Sequence, residues 1–371
     1  LLYRTVWRWH FYAGLFVIPF ILILSVTGAI YLFKPQVERW EERTYQGLPA
    51  DGAVSADMQR DAALAAFPGS HFQSYRLPQH QGDAAVVHVA LPADGGTRDV
   101  FVASDGKVLG SLDPEQRLMA IVHTIHGQLM LGPGGSWLVE LAASWAIVMI
   151  MTGLYLWWPA GRGLAGVVWP RLKSGKRIFW RDLHAVTGFW VAGLALILLV
   201  TGLPWASAWG SAFKAVRAQM GWMTTPQDWM IGGRPAGDAH AEHAQHAHHG
   251  HDAAAPAAAG HSGITLDEVV ARARSENLAF PVLVSPPGAA MRFVKPSPAA
   301  WTVRSDAQNR PLRVVIQYDA ASGIEKLRDR FADRHPIDRV IGYGVAWHEG
   351  QLFGWVNQLI GVMTALMLIT L

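Results

Sequence analysis

Two histidines stand at the start of long apolar segments in the same local sequence. In each copy a glycine follows the histidine after four residues, and a Thr-Gly pair follows it after seventeen. The matching residues are His10, Gly14, Thr27 and Gly28 in the first copy, and His184, Gly188, Thr201 and Gly202 in the second. Placing an ionisable side chain in a membrane helix costs free energy, so such a residue indicates a functional role. The repeat predicts two duplicated halves with a cofactor held between their helices.

A second repeated histidine precedes two further apolar segments. His126 and His348 each lie six residues before a glycine, at Gly132 and Gly354, with a Gly-Gln pair in between. His123 lies on nearly the same helical face as His126 and is an alternative to it. The shared context favours His126 as the functional residue.

Haem is the cofactor that this pattern favours. Gly14 and Gly188 lie one helical turn beyond their histidines, which leaves room for a flat macrocycle or for close helix packing. Two imidazoles from different helices bind haem iron from opposite sides. The alternative is that each histidine is an ordinary surface or satisfied polar residue. We predict two haems with two histidine ligands each, one held by His10 and His184 and one by His126 and His348.

Hydrophobic residues make up 51% of the 371-residue chain and lie in blocks. Four blocks reach or approach the roughly 20 residues that a membrane-spanning helix needs. They are residues 11–33, 137–158, 185–206 and 356–371. The fourth block has only 16 residues, so we expect the native protein to continue beyond Leu371.

Basic residues predict the orientation. The loop between the second and third blocks carries six Lys or Arg residues against Asp182, and Arg4 and Arg8 precede the first block. Because cytoplasmic loops are enriched in Lys and Arg, both segments are predicted to lie in the cytoplasm and the two large loops on the other side.

The fold class predicted is an α-helical integral membrane protein with four transmembrane helices in two repeated halves and two small periplasmic α+β units. Helical patterning followed by short strands indicates each unit. The predicted segments are 1–36 (helix 1), 37–120 (unit 1), 121–160 (pre-helix and helix 2), 161–183 (basic loop), 184–206 (helix 3), 207–231 (interfacial amphipathic segment), 232–263 (His-rich linker), 264–345 (unit 2) and 346–371 (helix 4).

Three further features have a functional and a plain interpretation. The linker histidines His240, His243, His246, His248, His249 and His251 are candidate metal ligands, although a flexible polar linker is the favoured interpretation. Trp347, beside His348, is a candidate substrate contact within an interfacial aromatic belt. Glu140 is interpreted as an interfacial charge near a helix start, with a proton-transfer role as the alternative.

Composition excludes several classes of function. The absence of cysteine excludes thiolate-bound iron–sulfur clusters, covalent haem attachment through Cys-x-x-Cys-His and disulfides. The sequence has no nucleotide-binding glycine motif in a strand–helix context, so no flavin or nicotinamide module is evident. The net charge of +3 fits membrane anchoring better than nucleic-acid binding.

These motifs together resemble the PepSY-associated transmembrane proteins, in the iron-regulated membrane protein group that includes FoxB-like siderophore reductases. The matching stretches are 9–14, 25–28, 126–132, 183–188, 201–205 with 209–210, and 348–354. The resemblance covers nearly the whole chain. It implies a bacterial inner-membrane protein with PepSY-like periplasmic units, bis-histidine b-type haems and reduction of ferric siderophores. The long His-rich linker departs from the family pattern.

The sequence therefore predicts a di-haem electron-transfer enzyme that reduces a periplasmic ferric chelate. Fe(III) binds hard oxygen ligands far more tightly than Fe(II) does. Reduction of the bound iron therefore releases it from such a chelator. A membrane quinol or a reductase partner would donate the electron. The alternatives are a copper- or zinc-binding accessory protein and a PepSY-type module that regulates another protein.

Overall fold

A computed structural model describes residues 2–49, 51–92, 96–158, 165–222, 263–289 and 299–371. Ten α-helices and eight β-strands lie in these ranges. The helices are α1 (Leu2–Tyr31), α2 (Lys34–Glu41), α3 (Ala56–Ala66), α4 (Leu118–Gln128), α5 (Gly132–Trp157), α6 (Lys176–Gly202), α7 (Ser207–Gln219), α8 (Leu266–Ser275), α9 (Pro336–His348) and α10 (Trp355–Thr370). The strands are β1 (His71–Arg76), β2 (Ala85–Ala90), β3 (Thr97–Val102), β4 (Val108–Leu112), β5 (Val282–Ser285), β6 (Ala300–Ser305), β7 (Val314–Asp319) and β8 (Glu325–Arg330).

The prediction of four transmembrane helices is wrong. Among the described residues, three helical stretches are long and apolar enough to cross a membrane: Leu2–Tyr31, Gly132–Trp157 and Lys176–Trp205. The fourth apolar helix, Trp355–Thr370, has 16 residues, which falls short of the roughly 20 that a span requires. It packs against α1 and α6 beside the three long helices.

The prediction of two separate small α+β units is also wrong. All eight strands form one antiparallel sheet in the order β4-β3-β2-β1-β5-β6-β7-β8. The halves join where β1 pairs with β5, with Tyr75 opposite Val284 and Arg76 opposite Leu283. Because an unpaired strand edge is a liability, joining the two four-stranded meanders removes one exposed edge from each.

The two halves are related by an approximate two-fold arrangement. In each half one helix, α3 or α8, precedes four antiparallel strands. The N-termini of these two helices cap each other, since Ala56 N–H donates to Asp267 Oδ1 and Asp267 N–H donates to Asp57 Oδ2, both at 3.0 Å. The carboxylates satisfy backbone donors that a helix N-terminus leaves free.

The main core lies between α3, α8 and one face of the sheet. Strand residues such as Val87 on β2, Val284 on β5 and Val303 on β6 are fully buried there. The continuous sheet therefore gives both halves one shared hydrophobic core, which supports the joined architecture.

Replacing Val284 with Asp is expected to unfold the sheet at its centre. Val284 is 0% exposed at the β1–β5 junction, so the carboxylate would be buried without a partner at a cost of about 3–5 kcal/mol. Thermal unfolding of the purified protein measures the loss. Ile324→Asp is the control, because Ile324 is 68% exposed and surface changes fall within about 0.5 kcal/mol. Equal melting temperatures for the two variants would contradict a shared core.

Several predicted features lie outside the described residues. The candidate metal ligands of the His-rich linker, from His240 to His251, fall in the range 223–262. The interfacial segment predicted at 207–231 begins with helix α7. Residues 223–231 of this segment are not among the described residues. Arg162 of the basic loop is outside it as well.

Candidate functional site

The four repeated histidines lie in two pairs. His126 lies in the last turn of α4, the helix that follows β4 of the sheet. Its ring centroid is 6.4 Å from that of His348. The centroids of His10 and His184 are 6.3 Å apart at the other end of the long helices. We name these the sheet-side pair and the far-side pair.

The spacing within each pair suits a metal ion bound between the two rings. A metal–imidazole nitrogen bond of about 2 Å, plus roughly 1 Å from each nitrogen to its ring centre, separates two opposed ring centres by about 6 Å. The two rings cross at 80° in the sheet-side pair and at 74° in the far-side pair. Both pairs can therefore act as axial ligands on opposite sides of one metal.

Threonine hydroxyls contact the Nδ1 atoms of the sheet-side pair. Thr27 Oγ1 is 2.9 Å from His126 Nδ1, and Thr201 Oγ1 is 3.1 Å from His348 Nδ1. Both threonines belong to the repeated Thr-Gly pairs, whose small residues are also typical of helix packing. Hydrogen bonding at Nδ1 leaves Nε2 as the nitrogen available to a metal, an arrangement usual for metal-bound histidine.

Backbone carbonyls contact the far-side pair at the same ring position. His10 Nδ1 lies 3.0 Å from the carbonyl oxygen of Met149 and 3.2 Å from Thr152 Oγ1. His184 Nδ1 lies 3.3 Å from the carbonyl oxygen of Leu371. Because a carbonyl can only accept, Nδ1 carries the hydrogen in these rings and Nε2 is again the free nitrogen.

Three glycines lie directly against the imidazoles. The repeat in the sequence includes Gly28 and Gly202 without assigning them a contact with a histidine, and Gly153 is not part of it. A Cβ added at Gly28 would lie 3.2 Å from Cε1 of His126, and one at Gly202 would lie 3.2 Å from Cε1 of His348. At Gly153 it would lie 2.9 Å from Cε1 of His10. The signal that could have found Gly153 is the Thr-Gly pair, which occurs at 27–28, 152–153, 187–188 and 201–202, although the glycine of the pair at 187–188 has no imidazole among its close contacts.

The predicted glycines Gly14 and Gly188 have more space around them. A Cβ at these positions would meet its nearest atom at 3.8 Å and 3.9 Å, which is ordinary contact. Both line a cavity of about 920 Å³ between the membrane helices. The two residues thus border open space, as the prediction of room for a flat group requires.

This cavity connects the two histidine pairs. All four histidines line it, among mostly apolar side chains of α1, α5, α6 and α10. Its volume is at the upper end of the roughly 300–1,000 Å³ typical of ligand pockets. Along α1, the 17 residues from His10 to Thr27 span about 25 Å, which sets the distance between the two ends of the cavity.

The loop after His348 is held by side-chain hydrogen bonds. Asn357 donates from Nδ2 to the Trp347 carbonyl oxygen at 3.1 Å and accepts from Leu352 N–H at 3.2 Å. Gln351 Nε2 donates to the carbonyl oxygen of Leu32 at the end of α1, at 2.9 Å. These bonds fix the end of α9, and with it the backbone position of His348.

The glycine six residues after each sheet-side histidine has a conformational role. Gly132 has φ +60° and Gly354 has φ +59°, and each lies at the start of the following apolar helix. Only glycine adopts such angles without strain, so the repeated spacing reflects a backbone requirement of the turn between two helices.

The remaining candidate residues lie around the sheet-side pair. His123 and Trp347 both line the cavity, and the ring of His123 is 5.6 Å from that of Tyr31. The indole stacked nearest to His348 is that of Trp205, with a centroid distance of 6.4 Å and an interplanar angle of 27°. Sequence reasoning had selected Trp347 and left Trp205 in the aromatic belt.

A buried ion pair lies next to the sheet-side pair. Arg310 NH2 is 3.5 Å from Glu349 Oε1, and both side chains are 8% exposed. The Arg310 guanidinium also lies 5.3 Å from the ring centre of Trp205, which in turn stacks on His348. Arg310 follows β6, so these contacts connect the sheet to the histidine pair.

Glu140 forms the cap of a neighbouring helix. This carboxylate on α5 is 5% exposed and accepts from the backbone N–H of Ala208 at 3.0 Å and of Trp209 at 2.7 Å. Both donors belong to the first turn of α7, where N–H groups have no intrahelical partner. The contacts support the interpretation as a charge at a helix terminus, and that helix is α7.

Replacing Glu140 with Ala is expected to release the N-terminus of α7. Two charge-assisted hydrogen bonds would be lost, and each is worth about 1.5–3 kcal/mol. Hydrogen exchange at the amides of Ala208 and Trp209 measures the effect, with faster exchange expected. Glu140→Gln is the matched variant, since its carbonyl still accepts one bond and exchange should rise less. Unchanged exchange in the Ala variant would show that α7 does not depend on this cap.

Comparison with known protein families identifies the class. The family model of the PepSY-associated TM region matches residues 7–371. The chain therefore belongs to the PepSY-associated transmembrane family and is a membrane protein of that type. No curated protein gives a significant match. The finer resemblance to FoxB-like siderophore reductases stays a prediction.

Proposed function

We propose that this protein holds two haem b groups, one in each histidine pair, and passes electrons across the membrane to a ferric chelate. The observation that carries the proposal is the repeated pair geometry: ring centres 6.3 and 6.4 Å apart, with Nδ1 hydrogen-bonded in all four rings. Two opposed imidazoles with free Nε2 atoms are what a bis-histidine haem requires.

The number of ligands favours haem over a bare metal ion. Structural and catalytic zinc sites use three or four protein ligands. Within the described ranges, no cluster of three or more His, Asp or Glu side chains could hold a metal. A porphyrin brings its own four nitrogens, so two histidines complete its coordination. The apolar cavity walls also suit its hydrophobic faces.

The chain's own residues position the group and protect it. When bound, haem iron supplies one-electron transfer between its ferrous and ferric states. His10 and His184 would hold one haem group through their ring nitrogens, and His126 and His348 would hold the other. The apolar lining of the cavity excludes water, and burial of this kind is one of the ways in which a protein sets a haem potential.

The basic residues support an orientation of the two histidine pairs in the membrane. The described part of the α5–α6 connection and the start of α6 carry Arg171, Lys173, Lys176, Arg177 and Arg181. The positive-inside rule assigns this end to the cytoplasm of a bacterial inner membrane and the sheet to the periplasm. The far-side pair then receives electrons from a membrane quinol or a reductase partner, and the sheet-side pair delivers them to a ferric siderophore or similar chelate.

Reoxidation of the reduced protein tests this function. The full chain, purified in detergent and reduced with dithionite under anaerobic conditions, is mixed with a ferric hydroxamate chelate. The ferrous haem bands are expected to decay while a ferrous-iron indicator forms its coloured complex in equal amount. The same chelator loaded with Ga(III), which is not reduced under these conditions, is the control and should leave the haem bands unchanged. A haem-containing protein that no ferric hydroxamate, catecholate or carboxylate chelate reoxidises would refute the reductase function.

A further inference from the structure

We propose that Thr27 and Thr201 are positioning residues that fix the ring planes and the ligating nitrogen of the sheet-side histidines. The inference rests on the proposed haem function and deepens it. Each threonine belongs to a Thr-Gly pair at the end of a long helix and contacts a histidine from another part of the chain. We call the pairs Thr27-Gly28 and Thr201-Gly202 the threonine seats.

Each hydroxyl faces its histidine with a lone pair. Thr27 Oγ1 donates to the carbonyl oxygen of Ile23 at 2.7 Å, and Thr201 Oγ1 donates to that of Ile197 at 2.7 Å. A hydroxyl has one hydrogen, which these intrahelical bonds use. The bonds to His126 and His348 must therefore run from Nδ1–H to the threonine oxygen. This selects the tautomer whose Nε2 is free to bind a metal.

The seats also restrict rotation of each ring. Thr27 Oγ1 lies 2.9 Å from Nδ1 of His126. Next to this bond, Gly28 has no Cβ, which leaves space for Cε1 of the same imidazole ring. Thr201 and Gly202 hold His348 in the same way. The bond from each threonine hydroxyl to the carbonyl oxygen four residues earlier holds its χ1 rotamer, so the oxygen stays in place as an acceptor. The two seats thus hold the ring planes at 80° to each other.

Nearly perpendicular imidazole planes have a measurable consequence. They leave the two iron d orbitals that interact with the axial ligands nearly equal in energy, which gives a strongly anisotropic low-spin ferric electron paramagnetic resonance (EPR) signal. Parallel planes give a rhombic signal instead. A hydrogen bond at Nδ1 also makes imidazole a better donor and stabilises ferric iron. The seats therefore control both the EPR signal and the potential of the sheet-side site.

EPR spectroscopy and redox titration of full-length Thr27→Val and Thr201→Val test the inference. Valine has nearly the same shape but accepts no hydrogen bond. We expect the sheet-side signal to change from the strongly anisotropic towards the rhombic type. We also expect its potential to rise by about 59 mV, a tenfold change in the ferric–ferrous equilibrium. The far-side signal should not change.

Two further variants separate positioning from a merely structural role. Thr27→Ser keeps the oxygen and should retain the wild-type signal, even if Thr27→Val gives little protein. Thr124→Val removes a partly buried threonine of α4 that makes the same kind of intrahelical bond, to the Ala120 carbonyl oxygen at 2.9 Å, and that is not among the described residues that line the cavity or contact a histidine. It should leave both signals unchanged.

The outcomes distinguish this inference from the proposed function. If the wild-type protein contains haem and the Val variants keep its EPR signals unchanged, the role of the threonine seats is overturned and the haem function stands. A signal change in Thr27→Ser that matches the change in Thr27→Val would also overturn it. A wild-type protein without haem would instead remove the proposed function.

Discussion

Replacing either His126 or His348 with alanine is expected to halve the haem content, from about two groups per chain to about one. A haem held by two axial imidazoles loses one iron bond in these variants, and no other histidine ring lies opposite the remaining one at the 6.4 Å spacing in the described residues. Haem extraction and quantitation of the purified full chain measures the loss. His10→Ala and His184→Ala should each remove the other group.

The variant His123→Ala is the test of the alternative ligand. His123 lines the cavity, but the ring opposite His348 is that of His126. We therefore expect His123→Ala to retain both groups. Loss of the same group in His123→Ala and in His348→Ala, together with retention in His126→Ala, would show that His123 is the ligand.

Replacing Gly153 with alanine is expected to displace His10 and empty the far-side pair. An added Cβ would lie 2.9 Å from Cε1 of His10, closer than real side chains approach, so the ring or the helix must shift. Changes in the residues that orient a ligand typically cost about 10–100-fold in metal affinity. The measurement is haem content together with the EPR signals of both sites, of which the sheet-side signal should persist.

A matched glycine provides the control for this substitution. Gly193 lies inside α6, and a Cβ added there meets no atom within 4 Å. Gly193→Ala should keep both haem groups and stabilise the helix by about 0.5–1 kcal/mol. If Gly153→Ala also retained both groups and the far-side signal, the close contact with His10 would not govern binding.

Local patterns predicted strands and helices in both halves of the chain, but not how the halves join. Alternating and apolar runs predicted a helix followed by short strands in each half, and the duplication suggested equal halves. Pairing of β1 with β5 depends on contacts about 200 residues apart, such as Tyr75 with Val284, which no local pattern encodes. Helix α10 was predicted as a fourth span although its 16 residues are fewer than the roughly 20 that a span requires, because its hydropathy was judged the stronger signal.

The candidate site was predictable where residues repeat and not where they only become neighbours. The four histidines and their glycines could be found because their spacing recurs. The partners could not, because Thr27 lies 99 residues before His126 and Thr201 lies 147 residues before His348. The repeated Thr-Gly pairs were visible, but their spacing fits helix packing equally well. Three-dimensional contact alone shows that each pair meets a histidine of another segment.

The measurement that tests the central claim most directly is the haem content and visible spectrum of the full-length protein. It is produced with ample porphyrin supply and purified in detergent. We predict about two haem b groups per chain, a Soret band, and the sharp reduced bands of six-coordinate low-spin iron. A pure, folded protein that carries no haem, or whose haem is unaffected by all four His→Ala substitutions, would contradict the account.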